Sequence, residues 1–281
     1  MPFGASMKST SQSGTASVEG SYANIWMDPQ RGSNRTGRRV FRILPDISSS
    51  TGVLVMPEEA AFAEYWITVK AQGKDRKQRV MIAPDRRYNN PVFNRLFAHL
   101  PKEEREIAKL RFAINVLDKT KTIAVDVSKN NGSKETVYAY PNEKNEYYTA
   151  DGAKLAGVPA PLNQVRILEG SNGREGGKHM MQGLIDLIGV THPTDEDRVM
   201  SLYEFDIALR IAGEGTNTRR VFSVGGDFNP IPEKYITLPR FNLQEWAKPW
   251  DDGALEALLN GEDLYEVVQS YNITLTPKLV G

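Results

Sequence analysis

The chain of 281 residues contains no cysteine. That excludes disulfides and thiolate metal sites, and with them the stapled scaffolds of small secreted domains. No stretch reaches the ~20 consecutive apolar residues of a membrane helix. The N-terminal residues lack the apolar core of a signal peptide. The expectation is a soluble, unexported protein with no membrane partner. Net charge is missing too, since 35 cationic side chains balance 35 anionic ones. His99, His179 and His192 stand far apart without zinc-site spacing, so no metal is expected. Gly213-Glu214-Gly215 lies between two predicted strands, whereas a dinucleotide fingerprint joins a strand to a helix. No serine occupies an elbow motif. Asp195-Glu196-Asp197 reads as a solvated charge run or a helix start rather than a cation site. Catalysis therefore has no visible candidate: the expectation is a non-enzyme without cofactors.

What is present is charge separated along the chain. Residues 31–88 carry twelve cations against six anions, net +6, and residues 241–281 carry seven acids against two lysines, net −5. A basic half and an acidic half suggest an anionic partner for the first.

Residues 1–21 are rich in Ser, Gly and Thr and read as a flexible tail. Residues 22–240 read as a β-rich core. Val40–Leu44 is a strand. Glu58 opens as a helical turn after Pro57. Tyr65–Lys70 and Gln78–Ile82 form a hairpin across a polar, glycine-containing turn. A helical insertion at about 85–111 follows, with Val92–Phe97 at helical spacing. Pro101–Leu110 opens as a helix, proline first and acids in the first turn. Arg111–Asp118 and Val165–Glu169 are strands, and Lys119–Tyr148 is an excursion of strand and loop. Met180–Ile188 is an amphipathic helix. Ser201–Ile211 pairs with Thr218–Val224 as a second hairpin. Residues 241–281 form an acidic C-terminal segment whose helix, Ala254–Leu259, stops at Gly261. Strands dominate, which makes the chain mainly β with helical insertions.

The cations recur near aromatic rings. Arg38, Arg39 and Arg42 precede or enter the first strand. Lys70, Lys74, Arg76, Lys77 and Arg79 flank the hairpin. Arg86, Arg87 and Tyr88 share a loop, Arg111 precedes Phe112, and Arg219, Arg220 and Phe222 lie on the late hairpin. Cations that follow phosphates beside rings that stack on bases suit a single nucleic-acid strand. Alternate strand residues share a face. Trp66, Thr68 and Lys70 thus lie opposite Tyr65, Ile67 and Val69, and the set with Lys70 is the more polar. Two assignments stay open for Trp66: an exposed stacking ring, or a core ring beside a lysine reaching water from a strand end. The cations have a second reading as well, a solvated sheet edge that discourages aggregation.

In order, Val40–Pro45, Tyr65–Lys70 with its basic turn to Arg79, Phe112–Asp118, Val165–Gly170 and Tyr203–Phe222 resemble the single-stranded DNA-binding proteins of bacteriophages. That group includes the helix-destabilising protein of T-even phages. The resemblance runs over residues 40–224. It implies an oligonucleotide/oligosaccharide-binding (OB) barrel that coats unpaired DNA in the cytoplasm of an infected bacterium, during replication, recombination and repair. Arg42, Lys70, Lys74, Arg79 and Arg111 would contact the backbone, and Trp66 and Phe112 would stack. Self-association on DNA is a further implication. Separately, the charge separation suggests that the acidic segment 251–266 covers the groove when DNA is absent or recruits phage replication and recombination proteins. The chain departs from the T-even pattern in two ways. Asp85–Leu100 lacks the zinc-binding cysteines, which leaves a metal-free subdomain held by Val92, Phe93, Leu96 and Phe97, and the basic N-terminal arm is absent. The rival readings are a β-rich structural or assembly protein of a phage particle, an RNA-binding regulator, and an enzyme with unrecognised carboxylates.

Overall fold

The computed structural model describes residues 26–27, 39–47, 50–51, 54–55, 59–120, 123–128, 134–141, 147–148, 154–155, 164–171, 180–212, 219–226 and 228–280. The predicted N-terminal tail and Arg38 lie outside the described residues. The strands are β1 (Arg39–Ile43), β2 (Asp46–Ile47), β3 (Leu54–Val55), β4 (Ala60–Ala71), β5 (Lys74–Ile82), β6 (Lys109–Asp118), β7 (Ile123–Ser128), β8 (Lys134–Pro141), β9 (Tyr147–Tyr148), β10 (Lys154–Leu155), β11 (Gln164–Ser171), β12 (Thr191–His192), β13 (Asp195–Val199), β14 (Ile207–Ala212), β15 (Arg219–Val224), β16 (Arg240–Phe241) and β17 (Leu279–Val280). The helices are α1 (Pro91–Leu96), α2 (Met180–Ile185), α3 (Glu233–Ile236), α4 (Leu243–Trp246), α5 (Asp252–Leu259) and α6 (Leu264–Ser270). The chain is mainly β. Its main sheet has seven strands in the order β15-β14-β1-β6-β4-β5, with β11 also paired to β6.

Two compact units share this chain. The first comprises residues 1–58, 114–168 and 182–239, and the second residues 59–113, 169–181 and 240–281. In the first unit β1 pairs antiparallel with β14 and with the end of β6, and β14 pairs with β15. Phe41, Phe205, Ile207, Leu209 and Phe222 are buried there. The Phe41 and Phe222 rings meet edge to face at 6.2 Å. Arg42 is buried as well, its guanidinium 2.7 Å from Asp206 and bonded to the Asn229 carbonyl. Arg166 is buried against Asp118 at 2.7 Å. Buried ions must be paired, because leaving one unpartnered costs several kcal/mol.

In the second unit the start of β6 pairs with β4, which pairs with β5 along nine residues. Tyr65 stacks on Phe93 of α1 with centroids 4.0 Å apart, and Phe93 in turn faces Phe97. Asn90 caps α1, its side chain accepting from the backbone N–H of Val92 and of Phe93. Asp251 caps α5 and Asp263 caps α6 in the same way. Gly261, at φ +94°, ends the α5 turn as the sequence predicts.

Five expectations change. The resemblance implies a closed barrel, but the main sheet has two ends, β15 and β5, with no pairing between them among the described residues. The β5 edge is charged and exposed from Lys74 to Lys77, a composition that discourages further pairing. The helical turn expected from Glu58 is strand from Ala60, because pairing of Ala60–Glu64 with β6 overrides the helix preference of Ala and Glu. The helix expected over 101–110 is a single 3-10 turn, Lys102–Glu104. Capable opening residues do not hold a helix that lacks an apolar face to bury, and β6 takes the chain from Lys109. The strand expected from Ser201 begins at Ile207. Leu96, assigned to the α1 core, is exposed at 40%.

Candidate nucleic-acid interface

The β4–β5 hairpin turns at Gln72 and Gly73, with φ of 51° and 74°. Positive φ at both central residues is the turn that matches the twist of a two-stranded ribbon, and glycine takes it without strain. Alternation then sorts the side chains. Tyr65, Ile67, Val69 and Ala71 are buried, while Trp66, Thr68 and Lys70 are exposed. The buried side meets α1 through Tyr65, and Arg76 on that side reaches the Tyr265 hydroxyl of α6 at 3.3 Å. The more polar set is thus the wet one, and Trp66 is 52% exposed. The other three tryptophans, Trp26, Trp246 and Trp250, are buried. A large ring left in water while its three counterparts are sheltered is the feature of this surface that packing does not explain.

Register places the charges around that ring. Trp66 lies opposite Arg79, Thr68 opposite Lys77, and Lys70 opposite Asp75. Directly opposed residues share a face. From the base of the hairpin to its tip, the outer face therefore offers the indole, then Lys77 beside Thr68, then Lys70 beside Asp75. Lys70 Nζ and Asp75 Oδ1 are 2.7 Å apart. Lys77 and the tip residue Lys74 are exposed and make no ion pair among the described residues.

Nearer the base, the same face is closed. Phe62 and Glu64 are buried, and Trp246 of α4 meets the Phe62 ring at 5.1 Å. The Arg79 guanidinium lies 4.9 Å from the Trp246 ring centre and bridges Glu169 at 2.6 Å and Glu64 at 3.5 Å. Arg111 donates to Glu64 at 2.8 Å. Burial pushes the Glu169 carboxyl above its ordinary range, against the pull of Arg79 and Arg111. Arg79 and Arg111 are therefore committed to two internal carboxylates.

The remaining predicted residues belong to both units. Arg86 pairs with Asp252 at 2.8 Å. Arg87 donates to the Ala108 carbonyl and lies over the ring of Tyr88, which is 70% exposed. Arg39 is 3.7 Å from Asp118. Arg42, Phe112 and Phe222 are buried. Phe112 and Phe222 are core rings, and no base stacks on a ring without an open face, so the stacking assigned to them is withdrawn. Arg220 is exposed on β15, and Arg219 is placed by backbone alone, opposite Ala212. On its outer face the hairpin brings together Trp66, Lys70 and Lys77, while Lys74, opposite Ala71, falls on the other face. Within the same unit Arg79, Arg111 and Arg86 are instead paired with Glu169, Glu64 and Asp252.

The acids were the missed half of this surface. Glu64, Glu169 and Asp252 decide which cations are spoken for. A glutamate in a strand between Phe62, Ala63 and Tyr65 was the available signal, since a carboxylate buried there needs a cation. The acidic C-terminal segment is likewise built in: Asp252 pairs with Arg86, Glu256 with Arg95, and Asp263 accepts from the Gln72 N–H at the hairpin turn. Among the described residues no cluster of three or more metal-ligating side chains is found, and no helix is long and apolar enough to cross a membrane. No protein-family model matches the chain, and no curated protein matches it.

Proposed function

We propose that this protein binds single-stranded DNA without breaking bonds, through the outer face of the β4–β5 hairpin. The observation that carries the proposal is Trp66, a half-exposed indole with Lys77 and Lys70 at the next two steps of the same face. A base stacks on the ring whatever its identity, and the lysines take phosphates, so binding is largely independent of sequence. The family resemblance supports the same reading. An OB-type plan, coating of unpaired strands in phage replication, recombination and repair, and action in the host cytoplasm belong to this proposal.

The test is a titration with oligo(dT) at several salt concentrations, following intrinsic fluorescence. The expected result is quenching of the one exposed indole and affinity that falls as salt rises, because bound phosphates release counterions. Trp66→Ala should lose about 1–3 kcal/mol of binding. Unchanged fluorescence and no salt-dependent binding would instead fit a structural or assembly protein of a phage particle. A preference for RNA would fit the regulator.

A further inference from the structure

Resting on that reading, we propose that Asp75 limits the grip of the hairpin by occupying Lys70 where a phosphate would sit. Lys70 and Asp75 are directly opposed across the hairpin, and their charged groups are 2.7 Å apart. Both are well exposed, Lys70 at 50% and Asp75 at 67% of the side chain. No burial requires this pair, in contrast to Arg79 with Glu64 and Glu169. An exposed ion pair between a lysine and an aspartate is weak, so a phosphate can replace the carboxylate.

The layout says what such a replacement would add. Along β4, Lys70 lies four residues beyond Trp66, about 13 Å at 3.3 Å per residue. Lys77, opposite Thr68, falls midway. A strand laid from the ring towards the tip meets Lys77 first and the Lys70–Asp75 pair second. In the free protein Asp75 occupies Lys70 at the second position. The outer face therefore offers a short footprint: one stacked base, a phosphate at Lys77, and a further phosphate only once Lys70 leaves Asp75. A short footprint of this kind predicts a shallow dependence on salt, about 0.7 in logarithmic slope for each phosphate held.

The experiment is the oligo(dT) titration on the full chain across a salt series, comparing wild type with Asp75→Asn, Asp75→Ser and the double variant Lys70→Gln/Asp75→Asn. Freeing Lys70 should tighten binding about two- to fivefold at low salt, the weight of an exposed pair. The same change should steepen the logarithmic slope by about 0.7, one additional phosphate on a single strand. The double variant should return both quantities towards wild type. If the wild type binds and the Asp75 variants keep its affinity and slope, the role of Asp75 is refuted while the hairpin interface stands. If the wild type does not bind oligo(dT) at any salt, the interface and the role of Asp75 fall together.

Discussion

One face of one hairpin behaves in two ways. At its base, Arg79 and Arg111 are locked against Glu64 and Glu169 beneath Trp246. At its tip, among the described residues, Lys77 has no ion pair and Lys70 has only an exposed one. The strands and the register are the same; the cover is different. Where α4 excludes water, a cation without a carboxylate would cost several kcal/mol, so every charge is matched. Where water reaches the strand, a lysine keeps its charge at little cost and remains available to a ligand. Counting cations along the chain therefore overstates the binding surface, because shelter from water decides which of them are committed.

The sharpest way to break this contrast is at the base. Glu64→Gln should destabilise the protein by about 3–5 kcal/mol in denaturant unfolding, because Arg79 and Arg111 lose a buried partner. Lys70→Gln, at the tip, should change stability by less than about 0.5 kcal/mol. Equal effects would erase the distinction between the two ends. Next in size is the ring: Trp66→Ala should weaken oligo(dT) binding by the amount given above while leaving stability nearly unchanged.

Acidity probes the base more gently. Glu169 has a carboxyl held above its ordinary value of 4.5 by burial. The folded state thus binds that proton more tightly than the unfolded state. Its contribution to stability is full below 4.5 and is lost as pH rises through the raised folded value. Glu169→Gln should flatten the stability profile across that window in thermal melts at graded pH. The smallest effect belongs to Lys77→Ala, which should reduce the logarithmic salt slope of binding by about 0.7 and leave the stacked base in place.

Much of this surface was legible in the order of residues. Alternation from Tyr65 to Lys70 separated the two faces and left Trp66 open between an exposed ring and a core one; the structure exposes it. Local signals also placed α1, the end of α5 at Gly261 and the β14–β15 hairpin. What the chain order hid was the identity of the ionic partners. Arg79 meets Glu169 across 90 residues, and Arg86 meets Asp252 across 166. The acidic tail and the basic loop looked like opposed surfaces in sequence and prove to be partners in space. Phe112 misled for a related reason. Its neighbour Arg111 points to the Phe62 and Glu64 side, and alternation sends Phe112 into the core on the other. Adjacency to a cation says nothing about which side of a strand a ring takes. The helix expected over 101–110 failed because β pairing at Lys109 outweighed favourable opening residues.

The claim on which the rest depends is the location of the grip. Ultraviolet crosslinking of the full chain to oligo(dT), with the attached peptides identified by mass spectrometry, tests it most directly. Crosslinks are expected at Trp66 and along Lys70–Lys77, suppressed by added salt. Crosslinks confined to the β14–β15 hairpin or to the Arg87–Tyr88 loop, with Trp66 unmodified, would contradict it.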